Sequence, residues 1–361
     1  MKITDVKFDF YEWERPTPLS NGLHTYANSG NTVIRVETDE GVVGHAIGGT
    51  RENEQASREM MRDLMIGENP LMTERIWSRL YSPKRRGRRG METRAQSSLD
   101  IALWDIKAKV AGLPLATMIG GFTERVNIYI AGGYYAEGKG LKELAAEMEA
   151  YVGYGAKAVK MKIGALPMAE DAERVRVVRE AIGPDVKLLM DANCAYRAYE
   201  AIQFARMVEP YDVFWFEEPV QPDDIDGYAA IAARTTIPIV GGENEYTKYG
   251  FRDFIHGSGA PIIQADGTNC GGVTEFMKIA AYADAHGRDM APHGEQQIHI
   301  HLLSAIPNGL LLEFYPVEYD PMRAQKYQTP LLLNDDGTVS VPTAPGAGLE
   351  WNTKQMERYR L

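Results

Sequence analysis

Three short apolar runs decide the fold: residues 186–191 (VKLLMD), 213–217 (VFWFE) and 237–243 (IPIVGGE). Each run ends in a carboxylate, and successive carboxylates are 26 residues apart. A repeat of about 25 residues, with one strand and one helix in each, is typical of a (β/α)8 barrel. Because the parallel strands of such a barrel present their carboxyl ends at one rim, the spacing predicts that these three acids meet there.

The same repeat continues on both sides of these runs. Upstream, Lys160 and Lys162 lie in the apolar segment AVKMKIG. Downstream, Asp266, His293 and Glu313 each close an apolar segment. Eight strand candidates result, namely residues 126–131, 158–163, 186–191, 213–217, 237–242, 262–266, 288–292 and 310–314. The sequence therefore predicts an α/β fold class, a modified (β/α)8 TIM-type barrel.

The rest of the chain has a different pattern, and we expect a second domain. Residues 1–123 contain alternating strand segments such as 3–13 and then helices, of which 91–111 is the longest. This pattern predicts an N-terminal α+β capping domain ahead of a barrel domain at 124–317. The tail, 318–361, has no further strand–helix repeat, so we expect it to return to the capping domain and complete it.

Composition limits the class of protein. The 361 residues include 39 Lys and Arg against 50 Asp and Glu, a net charge of -11, which argues against nucleic acid as a partner. No stretch approaches the roughly 18 apolar residues of a transmembrane helix, and the N-terminus has no apolar signal core. We therefore expect no membrane contact and a cytoplasmic location. Two cysteines, Cys194 and Cys270, imply no disulfide framework.

Asp191, Glu217 and Glu243 are the candidate metal ligands. Three carboxylates in one dry pocket repel each other unless a cation lies between them. Oxygen ligands favour a hard dication, Mg2+ or, in its place, Mn2+. Each acid taken alone is also compatible with a solvated loop. Their recurrence at successive strand ends is what favours a metal site.

Lys160 and Lys162 are the candidate cations of the site. Alternation along a strand places both side chains on the same face. Lysines that faced the helix layer would be buried without partners, so the barrel interior is the predicted location. An exposed edge strand is the alternative explanation. Next to each other and to a dication, both ammonium groups should have a lowered pKa, which would make one of them a competent base.

Asp266 and His293 close neighbouring strands and form a candidate catalytic pair. A carboxylate behind an imidazole fixes its tautomer and raises its basicity. Glu313 ends the eighth strand and could donate a hydrogen bond to a substrate oxyanion if burial keeps it protonated. His299 and His301, on the helix between these strands, are interpreted as packing or surface residues.

Together these motifs resemble the mandelate racemase branch of the enolase superfamily, and the likeness spans nearly the whole chain. It rests on LDIALWDIKAKVAGLPL (99–115), Lys160-Met-Lys162, Asp191-Ala-Asn193, Glu217-Glu218-Pro219, Gly242-Glu243-Asn244, Asp266 with Asn269-Cys-Gly-Gly, His293-Gly294 and Glu313. The resemblance implies a capping domain on a modified TIM barrel, one essential Mg2+, and abstraction of the α-proton of a carboxylate substrate to a metal-stabilised enediolate.

The resemblance also implies a role for individual residues. It makes Asp191, Glu217 and Glu243 the metal ligands, Lys162 and His293 the bases, Asp266 the partner of His293, and Glu313 the oxyanion acid. It further implies that Asn193 contacts the substrate or a metal-bound group. From its position in the strand, Lys160 would stabilise the negative charge of the enediolate.

The motifs do not choose between reactions that share this first step. The leading interpretation is dehydration of a sugar acid, an aldonate or aldarate, to a 2-keto-3-deoxy acid. The alternative is a racemase, epimerase or cycloisomerase of a sugar acid or its lactone. Two polar segments, 15–31 and 48–55, are expected to be loops over the barrel mouth, with His24, Tyr26 and Arg51 binding the substrate. The expected partner is a small-molecule carboxylate, and we expect a homo-oligomer.

Overall fold

The structure, a computed structural model, describes residues 1–49, 51–317 and 321–361, without the side chains of residues 51–53, 86, 321 and 324. It begins with a three-stranded antiparallel sheet. The strands are β1 (Ile3–Ser20), β2 (Thr25–Thr38) and β3 (Val43–Gly48), in the order β1-β2-β3. Ile34, Val36 and Ala46 are completely buried, so one face of this sheet belongs to the core.

The segment 15–31, expected as a polar loop, is instead the distal half of a β hairpin formed by β1 and β2. Ser20 pairs with Thr25, and Asn21 Oδ1 accepts two backbone N–H groups in the turn. Ser20 also exchanges backbone hydrogen bonds of 2.8 and 2.9 Å with Tyr135 of the following unit. The tip is a strand because it docks there, whereas its prolines and polar residues have low local strand propensity.

Five helices follow the sheet. They are α1 (Arg51–Met65), α2 (Thr73–Leu80), α3 (Pro83–Arg86), α4 (Met91–Ala111) and α5 (Leu115–Met118). The second expected loop, 48–55, is therefore largely the start of α1. Helix α4 has the predicted bounds and ends where Gly112 adopts a left-handed conformation, φ 69°. Asp100 on α4 accepts hydrogen bonds from the backbone N–H (2.9 Å) and hydroxyl (2.7 Å) of Thr274, which attach this unit to the barrel.

Eight parallel strands form the predicted barrel. They are β4 (Arg125–Ala131), β5 (Ala158–Lys162), β6 (Lys187–Asp191), β7 (Val213–Glu217), β8 (Ile239–Gly241), β9 (Ile262–Ile263), β10 (Asp289–Met290) and β11 (Leu312–Phe314). They are ordered β10-β9-β8-β7-β6-β5-β4-β11, and a parallel bridge from Met290 to Gly309 closes the ring. The later strands are shorter than predicted, since β9 covers only the start of 262–266.

Helices of the described chain alternate with these strands. They are α6 (Leu141–Gly153), α7 (Met168–Ile182), α8 (Ala198–Val208), α9 (Ile225–Ala232), α10 (Thr247–Gly257), α11 (Gly272–Ala285) and α12 (Gln296–Ser304). Inside the ring, Ala158, Leu189, Trp215 and Val240 pack as one buried cluster, so the barrel is filled below its rim. None of the described helices is both long and apolar enough to cross a bilayer.

The tail runs back to the first sheet. It contains α13 (Pro321–Gln325), β12 (Thr338–Ser340), α14 (Thr353–Met356) and a 3-10 turn at Glu357–Tyr359. Another 3-10 turn, Glu209–Tyr211, lies in the barrel between α8 and β7. β12 pairs antiparallel with β4. The backbone N–H of Leu361 donates to Phe10 O at 2.9 Å, and the rings of Tyr11 and Trp351 are 4.9 Å apart. The tail thus contacts β1, while the domain bounds themselves stay predictions.

Candidate active site

The three predicted metal ligands meet at the rim of the barrel. Asp191 and Glu217 end β6 and β7, and Glu243 follows β8. One oxygen of each lies within 4.8 Å of the others, and Asp191 and Glu217 are completely buried. Glu243 Oε2 is buried yet has no hydrogen-bond partner among the described residues, which leaves it as an acceptor for a cation. A donor set made only of carboxylate oxygens fits a hard dication.

Burial and mutual repulsion determine the charge of this cluster. Burial, together with the charge of Asp191, raises the pKa of Glu217 to about 8. Burial also tends to raise the pKa of Asp191, but Lys162 and Lys160 outweigh burial and lower it. The carboxylates therefore depend on nearby positive charge to stay ionised together.

Both lysines of β5 point into the barrel, as alternation predicts. Lys160 Nζ lies 2.7 Å from Glu217 Oε1 and 3.1 Å from Glu313 Oε1. Lys162 Nζ donates a hydrogen bond to Asp191 Oδ2. Burial tends to lower the pKa of each lysine, yet the facing carboxylates raise both. The pKa is raised because each ammonium group contacts a carboxylate directly. The lowered pKa that we expect beside a dication stays a prediction.

His293 follows β10, nearly across the barrel mouth from β5. Its Nδ1 lies 3.2 Å from Asp266 Oδ2, the predicted pairing, and its Nε2 lies 3.5 Å from Glu243 Oε2. Burial tends to lower the pKa of His293, but Glu243 and Glu313 raise it well above its usual range. His299, interpreted from the sequence as a packing or surface residue, places Nε2 3.3 Å from the other oxygen of Asp266. Each oxygen of this carboxylate therefore faces one imidazole.

Glu313 is buried, and it accepts hydrogen bonds from its neighbours. It accepts the backbone N–H of Gly294 at 2.7 Å and the hydroxyl of Tyr315 at 3.2 Å. Burial tends to raise the pKa of Glu313, but Lys160 and His293 hold it below its usual range. Because two cations face this carboxylate, burial alone does not keep it protonated, and its role as the oxyanion acid stays a prediction.

Three of the four residues predicted to contact substrate lie beside the carboxylates. Asn193 follows β6, and its Oδ1 is buried without a hydrogen-bond partner in the described chain. His24 and Tyr26, at the tip of the docked hairpin, line cavities at the rim. The side chain of Arg51 lies outside the described residues. The contacts of Asn193, His24 and Tyr26 with substrate stay predictions.

Two cavities flank the site within the described ranges. One, of about 510 Å³, is lined by Glu243, Asn193 and His24. The other, of about 610 Å³, is lined by His293. Tyr26 contributes to both walls, so the hairpin tip lies between them. A small polar molecule bound at the carboxylates can extend into either cavity.

Three residues at the site were missed in the sequence. Trp215 Nε1 donates to Glu217 Oε2 at 3.1 Å, and the Tyr315 hydroxyl donates to Glu313. Both lie two residues from a predicted site residue, so strand alternation could have found them. Glu218 follows Glu217 and would face outward by alternation. Its φ of 38° turns the chain, and the buried carboxylate accepts two hydrogen bonds from Asn244, at 2.9 and 3.1 Å.

Two family profiles match the chain over most of its length. Residues 143–355 match the profile described as "Enolase C-terminal domain-like". Residues 3–120 match "Mandelate racemase / muconate lactonizing enzyme, N-terminal domain". The chain belongs to the enolase superfamily. The N-terminal match assigns it, within that superfamily, to the branch that the motifs resemble.

Enolase superfamily members similar to this chain include more than one kind of enzyme. D-galactarolactone cycloisomerase of Agrobacterium fabrum is 33% identical, over 100% of this chain and 99% of that protein. Arabinonate dehydratase of Saccharolobus solfataricus is 34% identical, over 90% of this chain and 89% of that protein. The crystal structure of L-talarate/galactarate dehydratase from Salmonella typhimurium LT2, liganded with Mg and L-lyxarohydroxamate, has a TM-score of 0.91 at 30% identity. The matched region covers 100% of this chain and 93% of the dehydratase chain.

Proposed function

We propose that this enzyme abstracts the α-proton of a sugar acid in a Mg2+-dependent reaction and dehydrates the intermediate to a 2-keto-3-deoxy acid. The observation that carries the proposal is the position of two bases at opposite ends of the carboxylate set. Lys162 contacts Asp191 at one end, and His293 Nε2 lies 3.5 Å from Glu243 at the other. A substrate carboxylate held at this set would present its α-carbon between the two bases.

Asp191, Glu217 and Glu243 would hold the Mg2+. The ion would supply positive charge that polarises the substrate carboxylate and lowers the pKa of its α-proton and of the adjacent ammonium groups. The unsatisfied Glu243 Oε2 supports this assignment, as does the Mg in the similar L-talarate/galactarate dehydratase structure.

The chain's own residues move the protons. Lys162 Nζ or His293 Nε2 removes the α-proton, according to which face of the substrate carries it. Lys160, fully buried, offers a fixed positive charge where oxygen charge develops. His293, with Asp266 behind it, is the acid that we assign to the C3 hydroxyl, which leaves as water. Loss of the proton and the hydroxyl gives an enol, which tautomerises to the keto acid.

A cycloisomerase is the second candidate. The observation that favours it is 33% identity to D-galactarolactone cycloisomerase along the whole chain. The same bases would remove the α-proton, and the intermediate would then rearrange without loss of water. A racemase or epimerase would return the proton to the other face. In all three cases the product keeps the mass of the substrate.

A library of sugar mono- and diacids and their lactones, incubated with enzyme and Mg2+ in D2O, tests the proposal. A dehydratase forms a 2-keto acid that has lost one water, whereas an isomerase incorporates deuterium without other change of mass. The double variant Lys162→Ala, His293→Asn gives the background. If no member of the library loses water or exchanges its α-proton, the proposal is rejected. The cytoplasmic location and the homo-oligomeric state stay predictions, and light scattering of the purified protein tests the second.

A further inference from the structure

The cavity of about 610 Å³ on the His293 side has a positively charged wall. Arg15 of β1 and Arg323 of α13 both line it, together with Trp13 and Tyr134. The two arginines come from opposite ends of the sequence, and the fold brings them to the same cavity as the proposed base. A substrate that occupied this cavity would therefore place its far end beside guanidinium groups.

Arg15 has no carboxylate partner among the described residues, unlike Arg35 and Arg58 of the N-terminal unit. Arg35 pairs with Asp9 at 2.6 Å. Arg15 is half-buried and forms no ion pair within the described ranges, and its Nε is buried without a hydrogen-bond partner there. A buried donor without a partner is costly unless a ligand satisfies it.

Arg323 supports the same conclusion by its geometry. Its guanidinium carbon lies 3.7 Å from the centre of the Tyr315 ring. Tyr315 in turn donates its hydroxyl to Glu313 of the proposed site. A guanidinium stacked on a ring keeps its plane fixed, which suits recognition of a planar carboxylate.

The second cavity, of about 510 Å³, has the opposite character. Glu218, Asp223 and Glu243 line it. Its arginine, Arg89, is paired with Asp223 and lies 2.9 Å from Glu245. The carboxylates would repel a second anionic group of the substrate there. The two cavities therefore differ in charge, and the cavity lined by Arg15 and Arg323 is the one that suits an anion.

We propose that Arg15 binds a second carboxylate at the far end of the substrate, so the preferred substrates are dicarboxylic sugar acids. This inference rests on the proposed function, because it assumes that one carboxylate of the substrate lies at Asp191, Glu217 and Glu243. The other carboxylate then extends past His293 into the cavity with the positive wall. Monocarboxylic sugar acids, which end in a hydroxymethyl group, leave Arg15 without its anion.

The test compares pairs of sugar acids that differ only at the far carbon, a diacid against the monoacid of the same stereochemistry. In Arg15→Gln we expect kcat/KM for the diacid to fall about ten- to a hundredfold, mostly through KM, since a charge-assisted hydrogen bond is lost. The monoacid should be turned over as before, and Arg15→Lys should restore part of the preference. Arg62→Gln is the matched control, because it removes the same charge from a half-buried position of α1 that lines neither cavity.

Each outcome decides the inference. Loss of the diacid preference in Arg15→Gln, with Arg62→Gln unchanged, supports it. A wild-type enzyme that prefers monoacids, or a diacid preference that survives in Arg15→Gln, overturns the role of Arg15 and leaves the proposed function intact. If wild-type enzyme neither dehydrates nor exchanges the α-proton of either class, the proposed function fails and the inference fails with it.

Discussion

Two clusters in the described part of the chain bring three possible metal ligands within 4.8 Å of one another, and they differ in what surrounds them. The barrel cluster consists of Asp191, Glu217 and Glu243, and the capping cluster consists of His45, Asp105 and Glu350. The first lies at the rim of the barrel between two cavities. The second lies where α4, β3 and the tail meet.

Lys109 already contacts all three members of the capping cluster. Its Nζ lies 2.6 Å from Asp105, 2.7 Å from Glu350 and 3.0 Å from His45 Nδ1. Asp105 also accepts the backbone N–H groups of His45, at 2.8 Å, and Ala347, at 2.7 Å. The chain's own donors satisfy this carboxylate, so the cluster links α4 to β3 and to the tail.

The barrel cluster has lysines too, but they do not satisfy it. Lys162 contacts Asp191 and Lys160 contacts Glu217. Glu243 Oε2 has no hydrogen-bond partner in the described ranges, and His293 Nε2 lies 3.5 Å from it. This cluster also opens onto a cavity. Proximity of possible ligands therefore does not by itself identify a metal site. A buried acceptor left unsatisfied beside a cavity is the better indicator.

The largest expected effect separates the two clusters by activity. Glu217→Gln should lower kcat/KM at least about a thousandfold, because metal-supplied charge is worth several kcal/mol in the transition state. Asp105→Asn, the matched change in the capping cluster, should leave kcat/KM nearly unchanged. Steady-state kinetics at saturating Mg2+, with circular dichroism to verify folding, measures both. Similar losses in two folded variants would remove the distinction.

The second-largest expected effect is the loss of turnover when either proposed base, Lys162 or His293, is replaced. Both side chains lie next to the barrel cluster. Lys162→Met and His293→Asn should each slow turnover at least about a hundredfold, the usual scale of general acid–base catalysis. His293→Asn should still exchange the α-proton of substrates that present it to Lys162, and Lys162→Met should not. Proton NMR in D2O reads this exchange directly. Near wild-type dehydration by both variants would mean that the barrel rim is not the site.

Lys109→Met tests the capping cluster by stability. It leaves the fully buried Asp105 without its ammonium partner, so we expect the free energy of unfolding to fall by about 3–5 kcal/mol. The rate of turnover at a temperature where the variant is folded should stay the same. Urea titration and kinetics on one preparation measure both quantities. A stable but inactive Lys109→Met would assign the capping cluster a direct part in the reaction.

The smallest effect is the response of the capping region to acid. His301 Nε2 lies 3.2 Å from Ala347 O, and burial lowers the pKa of His301 to about 4. Between pH 6.5 and 4 the unfolded chain binds a proton at His301 that the folded chain does not, so stability falls as the pH falls. His301 Nδ1 also accepts the backbone N–H of Ala116 at 3.3 Å. His301→Gln can keep both hydrogen bonds of the ring and should remove about 2–3 kcal/mol of this loss. An identical pH dependence of unfolding in wild type and variant would contradict the assignment.

The barrel and its acids could be predicted because the signal is local. Asp191, Glu217 and Glu243 each close an apolar run. Their equal spacing along the chain indicates that the runs are successive barrel strands whose ends meet at one rim. The hairpin at 15–31 could not be predicted, because its strands depend on docking Ser20 against Tyr135.

Charge states were harder to predict than positions. Glu313 was placed correctly on its strand, yet its ionisation depends on Lys160 and His293, which are distant in sequence. The cavity wall formed by Arg15 and Arg323 likewise brings together residues that are distant in sequence. Such contacts come from tertiary packing, and no run of neighbouring residues encodes them.

The most direct test of the central claim is to locate the cation in crystals soaked with Mn2+. An anomalous difference map assigns the ion to atoms without reference to activity. We predict one strong peak bound by carboxylate oxygens of Asp191, Glu217 and Glu243, and none at the capping cluster. A peak at His45, Asp105 and Glu350 instead, or no peak at the barrel rim at saturating Mn2+, would contradict it.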